Sequence, residues 1–432
     1  MSLQSLMHIQ TNSDGVTSRR SFLQQIAVGA AGLGALGWKE NVALHADELR
    51  KNGMACILLF MRGGPSQLET FDPKPDTANG GPTKAIQTAV SGIQVAEGWT
   101  GMAKRMKEIA IIRSMNNKEG QHERAAFQLH TGYVPTGSVK YPSLGSIVAS
   151  EIGPRAFDLP NFVSIGGKGT GIGSGFLGMQ VAPFIVGNPN QMPSNVALPG
   201  NVNAQRFNRR LGLLGNLEEE FTEAGGGSRI EDHKALYANA AQMVLSPRIK
   251  AFDLNQESAE TRDRYGRSPF GQGCLLARRL IEQGVTFAEV NLNGWDTHDD
   301  NFNRVQKLTE TTDPAWSALL GDLKERGMLE RTLVIWMGEF GRTPKINPRT
   351  GRDHYPRAFN VALAGAGIRG GQVIGSTSPD GADVKDRPVG VPDLFCTFYK
   401  ALKINARKEN MSSLGRPIKL MDKGEPVKEL FA

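Results

Sequence analysis

Short, unbroken apolar runs that alternate with amphipathic stretches predict an α/β fold: a three-layer sandwich with a mostly parallel central sheet. Two observations carry this expectation. The runs are largely continuous instead of apolar at every second position, most clearly in MACILLFM, as strands covered on both faces require. Each also ends in glycine, proline or charged residues, the signature of a strand entering a loop. Together, 39% hydrophobic residues and 51 glycines in 432 residues suffice for a full core, which excludes disorder as the main state.

The expected strands are MACILLFM (54–61), IAIIRSM (109–115), NFVSIGG (161–167), VTFAEVNL (285–292), TLVIWMG (332–338) and FNVALAGAGI (359–368). Helical periodicity covers 122–132, 144–153, 202–221, 273–284 and 302–327. Residues 168–200 are rich in Gly, Pro and Asn, and 222–228 read TEAGGGS; these loops frame a helical insertion at about 200–270 within one domain spanning 47–432. The tail from 410 has little periodicity and is expected on the surface. No apolar stretch of the roughly 20 residues needed to span a bilayer occurs after the N-terminus, which excludes an integral membrane protein.

Residues 17–37, TSRRSFLQQIAVGAAGLGALG, pair Arg19 and Arg20 with a mild Gly/Ala-rich run. This resembles a Tat export signal, so residues 1–46 are read as a leader and the protein as periplasmic or at the cell surface. Cys56, Cys274 and Cys396 stand singly inside apolar runs and read as core residues, without a CxxC pair or disulfide framework. The net charge of +7 is spread among 43 acidic residues with no basic block, which argues against nucleic acid as a partner.

Polar residues gather directly after the expected strands, where open α/β sheets place their sites. NGWDTHDDN brings Asp296 and His298, GEFGR brings Glu339 and Arg342, and the loop that continues from there delivers GRDHYP with Asp353 and His354. A carboxylate with two imidazoles suits zinc, manganese or iron and leaves positions open for water or substrate. The competing reading makes Asp296 or Asp299 the N-cap of a helix beginning near Asn301.

GGPSQLETFDPKP, GEFGRTP and GRDHYP behind a twin-arginine leader resemble the bacterial family called domain of unknown function 1501, from about residue 54 to 430. TLVIWMGEFGR, HERAAFQLHTGYVP and RPVGVPDLFCTFYKALKI are also similar to segments of the alkaline phosphatase and sulfatase superfamily. That resemblance implies an alkaline-phosphatase-like fold and a metal held by Asp296, His298 and His354. His122 is the replacement ligand, and Glu339 is the surviving carboxylate, either a metal ligand or a water-orienting group. The metal would be zinc, or else manganese or calcium. Two departures stand out: the first strand ends in Arg62-Gly63-Gly64 where an aspartate is expected, so Glu69 or Asp72 would have to reach back. Gly120 takes the place of the nucleophile, leaving Ser66, Ser114 or Thr131 as substitutes.

The resemblance implies an exported metal-dependent hydrolase of a phosphate or sulfate ester, favouring metal-activated water over a protein nucleophile. Glu339, Arg124 and Arg342 are its catalytic candidates; Arg62 and Arg113 are further arginines able to grip an anion. The partner would be a small anionic ester or a sulfated or phosphorylated polymer. The alternative is a non-catalytic exported or surface protein on a degenerate scaffold, with at most a structural metal. One expectation concerns the leader alone: replacing Arg19 and Arg20 by lysine should leave precursor in the cytoplasm, since the translocase reads the arginine pair. Normal export of the Lys-Lys form on fractionation would contradict the assignment.

Overall fold

The computed structural model describes residues 53–154, 157–167, 171–194, 196–198, 200–223, 228–412 and 414–431. The leader and its cleavage point lie outside these residues. The nine strands of the central sheet are β1 (Ala55–Met61), β2 (Ile109–Asn116), β3 (Phe162–Ile165), β4 (Phe184–Val186), β5 (Phe287–Leu292), β6 (Thr332–Met337), β7 (Phe359–Ala364), β8 (Gln372–Ile374) and β9 (Val389–Gly390). Their order is β8-β2-β7-β6-β1-β5-β3-β4, with β9 also beside β2.

All pairings are parallel except those of β7, which runs antiparallel to both β2 and β6. The cause is local. Between β6 and β7 the chain makes a loop with no crossover helix, so β7 starts at the end of the sheet where β6 stops and must return antiparallel.

Seven helices of nine or more residues pack around or project from the sheet: α1 (His122–Thr131), α2 (Leu144–Ile152), α3 (Ala204–Glu223), α4 (Ser228–Leu245), α5 (Pro269–Glu282), α6 (Asn301–Glu325) and α7 (Val391–Ala401). Strand β1 shows why its sequence lacks alternation. Ala55, Ile57, Leu59 and Met61 face the layer of α5 and α6, while Cys56, Leu58 and Phe60 face α1, α2 and α7. Both faces are dry, so both must be apolar. The three-layer expectation therefore holds.

The α5/α6 side contains an aromatic cluster in which Phe71 meets Trp99, Trp316 and Trp336 at centroid distances of 4.8, 5.9 and 5.0 Å. All three cysteines are free and buried. Ser143 and Ser268 cap α2 and α5 by accepting from the Ser146 and Gly271 amides. Helices α3 and α4 occupy the segment expected to be helical, and His233 falls in α4, with its side chain outside the described residues. The tail differs from expectation: Leu420, Met421, Val427 and Leu430 are buried and join the core beside α7. Four apolar side chains in a loop segment lack period but still gain from burial. Among the described residues, no helix is long and apolar enough to cross a membrane.

Leu59 is fully buried at the centre of the sheet. Leu59→Ala should lower unfolding free energy by about 2–5 kcal/mol, read as a lower urea midpoint at unchanged slope.

Candidate metal centre

The neighbouring strands β6, β1 and β5 end on the same side, and the loops leaving their carboxyl ends meet. Contact between the β1 and β5 loops needs glycine. Gly63 has φ +114°, and a Cβ there would lie 2.2 Å from the Asp296 amide nitrogen. The β6 loop turns into a short antiparallel ribbon, Gly341–Arg342 against His354–Tyr355, with His354 opposite Arg342. This ribbon carries His354 to Asp296. Helix α1 supplies His122 as its first residue, after Gln121 has capped it.

His122, Asp296 and His354 group as possible metal donors, and His298 lies beside Asp296 and His354. Asp296 Oδ1 lies 3.3 Å from His122 Nε2, 3.1 Å from His298 Nε2 and 3.3 Å from His354 Nε2. His298 Nε2 and His354 Nε2 are 3.0 Å apart. A tetrahedral zinc with bonds of about 2.0–2.1 Å spaces its donors about 3.3–3.4 Å apart. The same bond length in a six-coordinate metal gives about 3.0 Å between adjacent donors. The distances of the three histidines from Asp296 Oδ1 fall between these values, and the His122–Asp296–His354 group fits a small divalent cation.

The other ring nitrogen of each histidine decides what Nε2 can do. His122 Nδ1 is 2.7 Å from Glu339 Oε1, His298 Nδ1 is 2.7 Å from Asp353 Oδ1, and His354 Nδ1 is 2.8 Å from the Gly120 carbonyl oxygen. Each partner accepts, so each Nδ1 carries a proton and Nε2 is the nitrogen left able to bind a metal. His122 Nε2 is buried and makes no hydrogen bond. Lone pairs facing each other at 3.0 Å repel unless a cation lies among them. The side chains of His122, His298, His354 and Asp296 are 29, 34, 26 and 46% exposed, so solvent reaches the centre.

The electrostatics favour an ionised Asp296 and a neutral His354, while Glu339 holds a proton on His122 that a metal would have to displace. Burial pushes the Asp296 carboxyl up, but the hydrogen bond and charge of Arg342, joined by His122 and His298, bring it down to about 2. Burial lowers the His354 pKa, which favours the neutral ring that a ligand must be. The hydrogen bond to Glu339 raises the His122 pKa against the opposing effect of burial.

Glu339 does not join the donors. Its Oε1 accepts from His122 Nδ1 and, at 2.9 Å, from the Gly63 amide. It is the carboxylate behind a histidine, orienting the ring and fixing the β1 loop. Arg342 is fully buried, and its guanidinium donates to the carbonyls of Gly63, Gly64 (2.9 Å) and Arg352 (3.1 Å) and to Asp296 Oδ1 (2.6 Å). That fork is committed within the protein, and the sequence expectation that it grips an ester is corrected. Arg124 lies two residues beyond His122, about 200° round the helix. It pairs with Glu119 at 2.8 Å on the surface, away from the donors. Arg113 donates to the carbonyls of Phe71 and Gln94. Arg62 is half-buried at the end of β1.

Neither first-loop carboxylate reaches the centre. Glu69 forms a two-pronged buried pair with Arg352, at 2.7 and 3.0 Å, while Asp72 holds Lys74 and Thr377. The Glu69–Arg352 pair has its own purpose in the assembly. Asn301 donates to Glu69 Oε2, Thr297 donates to Asn301 Oδ1, and the Arg352 amide donates to the Thr297 carbonyl. This chain locks the loop of Asp296 and His298 to the loop of Asp353 and His354. Neither Asp296 nor Asp299 caps α6; Asp300 occupies that position without bonding a helix amide, its Oδ1 accepting from the Asn303 side chain instead, and Asp299 pairs with Arg304.

Of the candidate nucleophiles, Ser114 donates to the Arg387 carbonyl and Thr131 to that of Phe127, each satisfied locally. Ser66 is buried, with no partner for its hydroxyl. His130 is buried elsewhere, its Nδ1 on the Ala126 carbonyl and its Nε2 3.5 Å from Glu289. Sequence reasoning missed Asp353 as the partner of His298 and the carbonyl of Gly120 as that of His354. The adjacency of Asp353 and His354 in GRDHYP is the available signal for the first; a carbonyl leaves none.

Fold and site thus define an α/β sandwich with a three-histidine, one-aspartate centre at the carboxyl ends of its parallel strands. The family model described as "Protein of unknown function (DUF1501)" matches residues 54–431, and the chain belongs to this family. No curated protein matches it in sequence. Similar solved structures include the PsFucS1 sulfatase from Pseudoalteromonas sp., at 13% identity and TM-score 0.41, covering 84% of this chain and 71% of that one. An alkaline phosphatase superfamily protein from Vibrio parahaemolyticus is 11% identical at TM-score 0.35, covering 82% and 67%. The lipoteichoic acid synthase LtaP from Listeria monocytogenes is 10% identical at TM-score 0.35, covering 82% and 73%.

Purified mature protein should contain about one equivalent of divalent metal, lost in His298→Ala and His354→Ala; Asp353→Asn should retain the site with metal affinity lowered about 10–100-fold. Elemental analysis and competition with a chelator provide the measurement. Unchanged metal content in both alanine variants would refute the centre.

Proposed function

We propose that the chain is an exported, metal-dependent hydrolase of a phosphate or sulfate ester, with zinc the best-suited metal. The carrying observation is the clustering of three imidazole Nε2 atoms within 3.3 Å of one carboxylate oxygen at a solvent-reachable place beyond the strand ends, with His122, Asp296 and His354 grouped as donors. Imidazole donors favour zinc, manganese or iron, and three nitrogens do not suit calcium, which takes oxygen ligands. When bound, such a metal supplies a Lewis acid for the ester oxygen and a water acidic enough to attack at neutral pH.

The chain's own residues would do the rest. His122, His298 and His354 hold the metal as neutral rings, and Glu339, Asp353 and the Gly120 carbonyl keep their Nδ1 protons in place. Asp296, ionised far below neutral pH, contributes the negative charge. No hydroxyl is needed for attack in this reading, in keeping with the local bonds of Ser114 and Thr131. The substrate class is an anionic ester, free or on a polymer, and the twin-arginine leader supports export.

One observation favours a second reading. Four protein donors close a tetrahedral site, as in structural zinc centres, so catalysis requires a fifth coordination position. A non-catalytic protein with a structural metal would keep the same four residues.

Assays of metal-loaded protein on aryl phosphate and aryl sulfate separate the two readings. Hydrolysis is expected, with Ser66→Ala and Ser114→Ala retaining most activity. Glu339→Gln should lose about 10²–10⁴-fold if placement of His122 and proton handling depend on its charge. Full metal content without turnover on either ester would favour the structural reading. Collapse of turnover in Ser66→Ala at normal metal content would instead point to a covalent intermediate.

A further inference from the structure

Arg342 stands out among the charged groups near the centre because, among the described residues, it is the fully buried cation in contact with a donor oxygen. Its guanidinium sits in a cage of oxygens: the carbonyls of Gly63, Gly64 and Arg352, and Oδ1 of Asp296. The Phe340 ring packs beside the group, with the guanidinium carbon 5.9 Å from the ring centroid. Its backbone is fixed as well: the Arg342 amide donates to Gln67 Oε1 at 2.9 Å, and Gln67 Nε2 donates to the Arg342 carbonyl at 2.8 Å.

The oxygen held by Arg342 is the same Asp296 Oδ1 that faces the three histidines. One carboxylate oxygen is therefore shared between the imidazole cluster and a permanent cation. Three carbonyl dipoles and a carboxylate pointing inward make a buried negative potential that only a cation can satisfy, and guanidinium keeps its charge at any physiological pH.

We propose that Arg342 is a built-in cation of the centre. It holds Asp296 Oδ1 in its ligating direction and fills an oxygen-lined cage that would otherwise take a second metal, so the centre takes one. Because the Asp296 oxygen shares its charge with the guanidinium, it neutralises the bound metal less, which leaves the metal the stronger Lewis acid. Arg342 is then a positioning residue acting through Asp296, and it has no direct role on substrate. The inference rests on the metal-centre reading given above.

The test uses full-length mature protein and two substitutions. Manganese prefers oxygen-rich sites, so it serves as the probe for the cage. Wild type should saturate at one equivalent. Arg342→Ala, with the cage emptied, should take a second equivalent. Added guanidinium at about 20 mM, roughly a hundredfold below denaturing concentrations, should block that second equivalent and raise the melting temperature of the variant, leaving wild type unchanged. Arg342→Lys places an ammonium in the same cage and should remain folded with one equivalent.

An alanine variant that saturates at one equivalent, and whose melting temperature responds neither to manganese nor to guanidinium, would overturn the proposal. So would a lysine variant that takes two equivalents. If the alanine chain cannot be purified, the lysine chain decides alone: wild-type stoichiometry and melting within a few degrees of wild type support the built-in cation, and failure to fold overturns it. The two readings fail separately. Wild type without metal refutes the centre, whereas wild type with one equivalent and an inert alanine cage refutes only the role of Arg342.

Discussion

Asp296 Oδ1 lies 2.6 Å from the Arg342 guanidinium and within 3.3 Å of three imidazole nitrogens, and much of the surrounding structure serves to hold it there. Four side chains, from helix α1, the loop after β5 and the ribbon after β6, must meet at one oxygen. Such a meeting costs conformational entropy that its own contacts do not recover, so the surroundings must be rigid before the groups arrive. Rigidity comes from three sources: strands β1, β5 and β6, which are buried on both faces; glycines that let two loops touch backbone to backbone; and the buried Glu69–Arg352 pair, which ties the two histidine loops together.

This dependence explains an arrangement that would otherwise look wasteful. A buried ion pair such as Glu69 with Arg352 is a poor source of net stability, because desolvation offsets most of the attraction. Its value lies in specificity. Arg352 directly precedes Asp353 and His354, its amide bonds the Thr297 carbonyl, and Thr297 lies between Asp296 and His298. Any slip of one loop against the other would leave a charge buried without a partner. The same reasoning applies to Glu339, which holds the β1 loop through the Gly63 amide and the α1 histidine through its Nδ1. One carboxylate thereby couples the end of the sheet to the start of a helix.

The sequence by itself determined the layers and the kinds of donor. Runs such as MACILLFM and TLVIWMG are largely continuous in apolar residues, and only a strand covered on both faces rewards that pattern, so the sheet was legible without coordinates. Asp296 and His298 drew notice as scarce polar groups directly after such a run, and His354 only as a histidine beside an aspartate in the loop that follows β6. Tertiary structure alone decided who stands where around them. The guanidinium of Arg342 turned inward, Arg124 turned outward on its helix, Glu339 went behind a histidine instead of onto the donor point, and the carbonyl of Gly120 became the partner of His354. The antiparallel return of β7 and the burial of the tail were equally hidden. The reason is physical. Burial pattern is a local property written in the order of residues, whereas the partner of a charged or polar group depends on distances between segments far apart in sequence, 276 residues for Gly63 and Glu339, which only the folded chain sets.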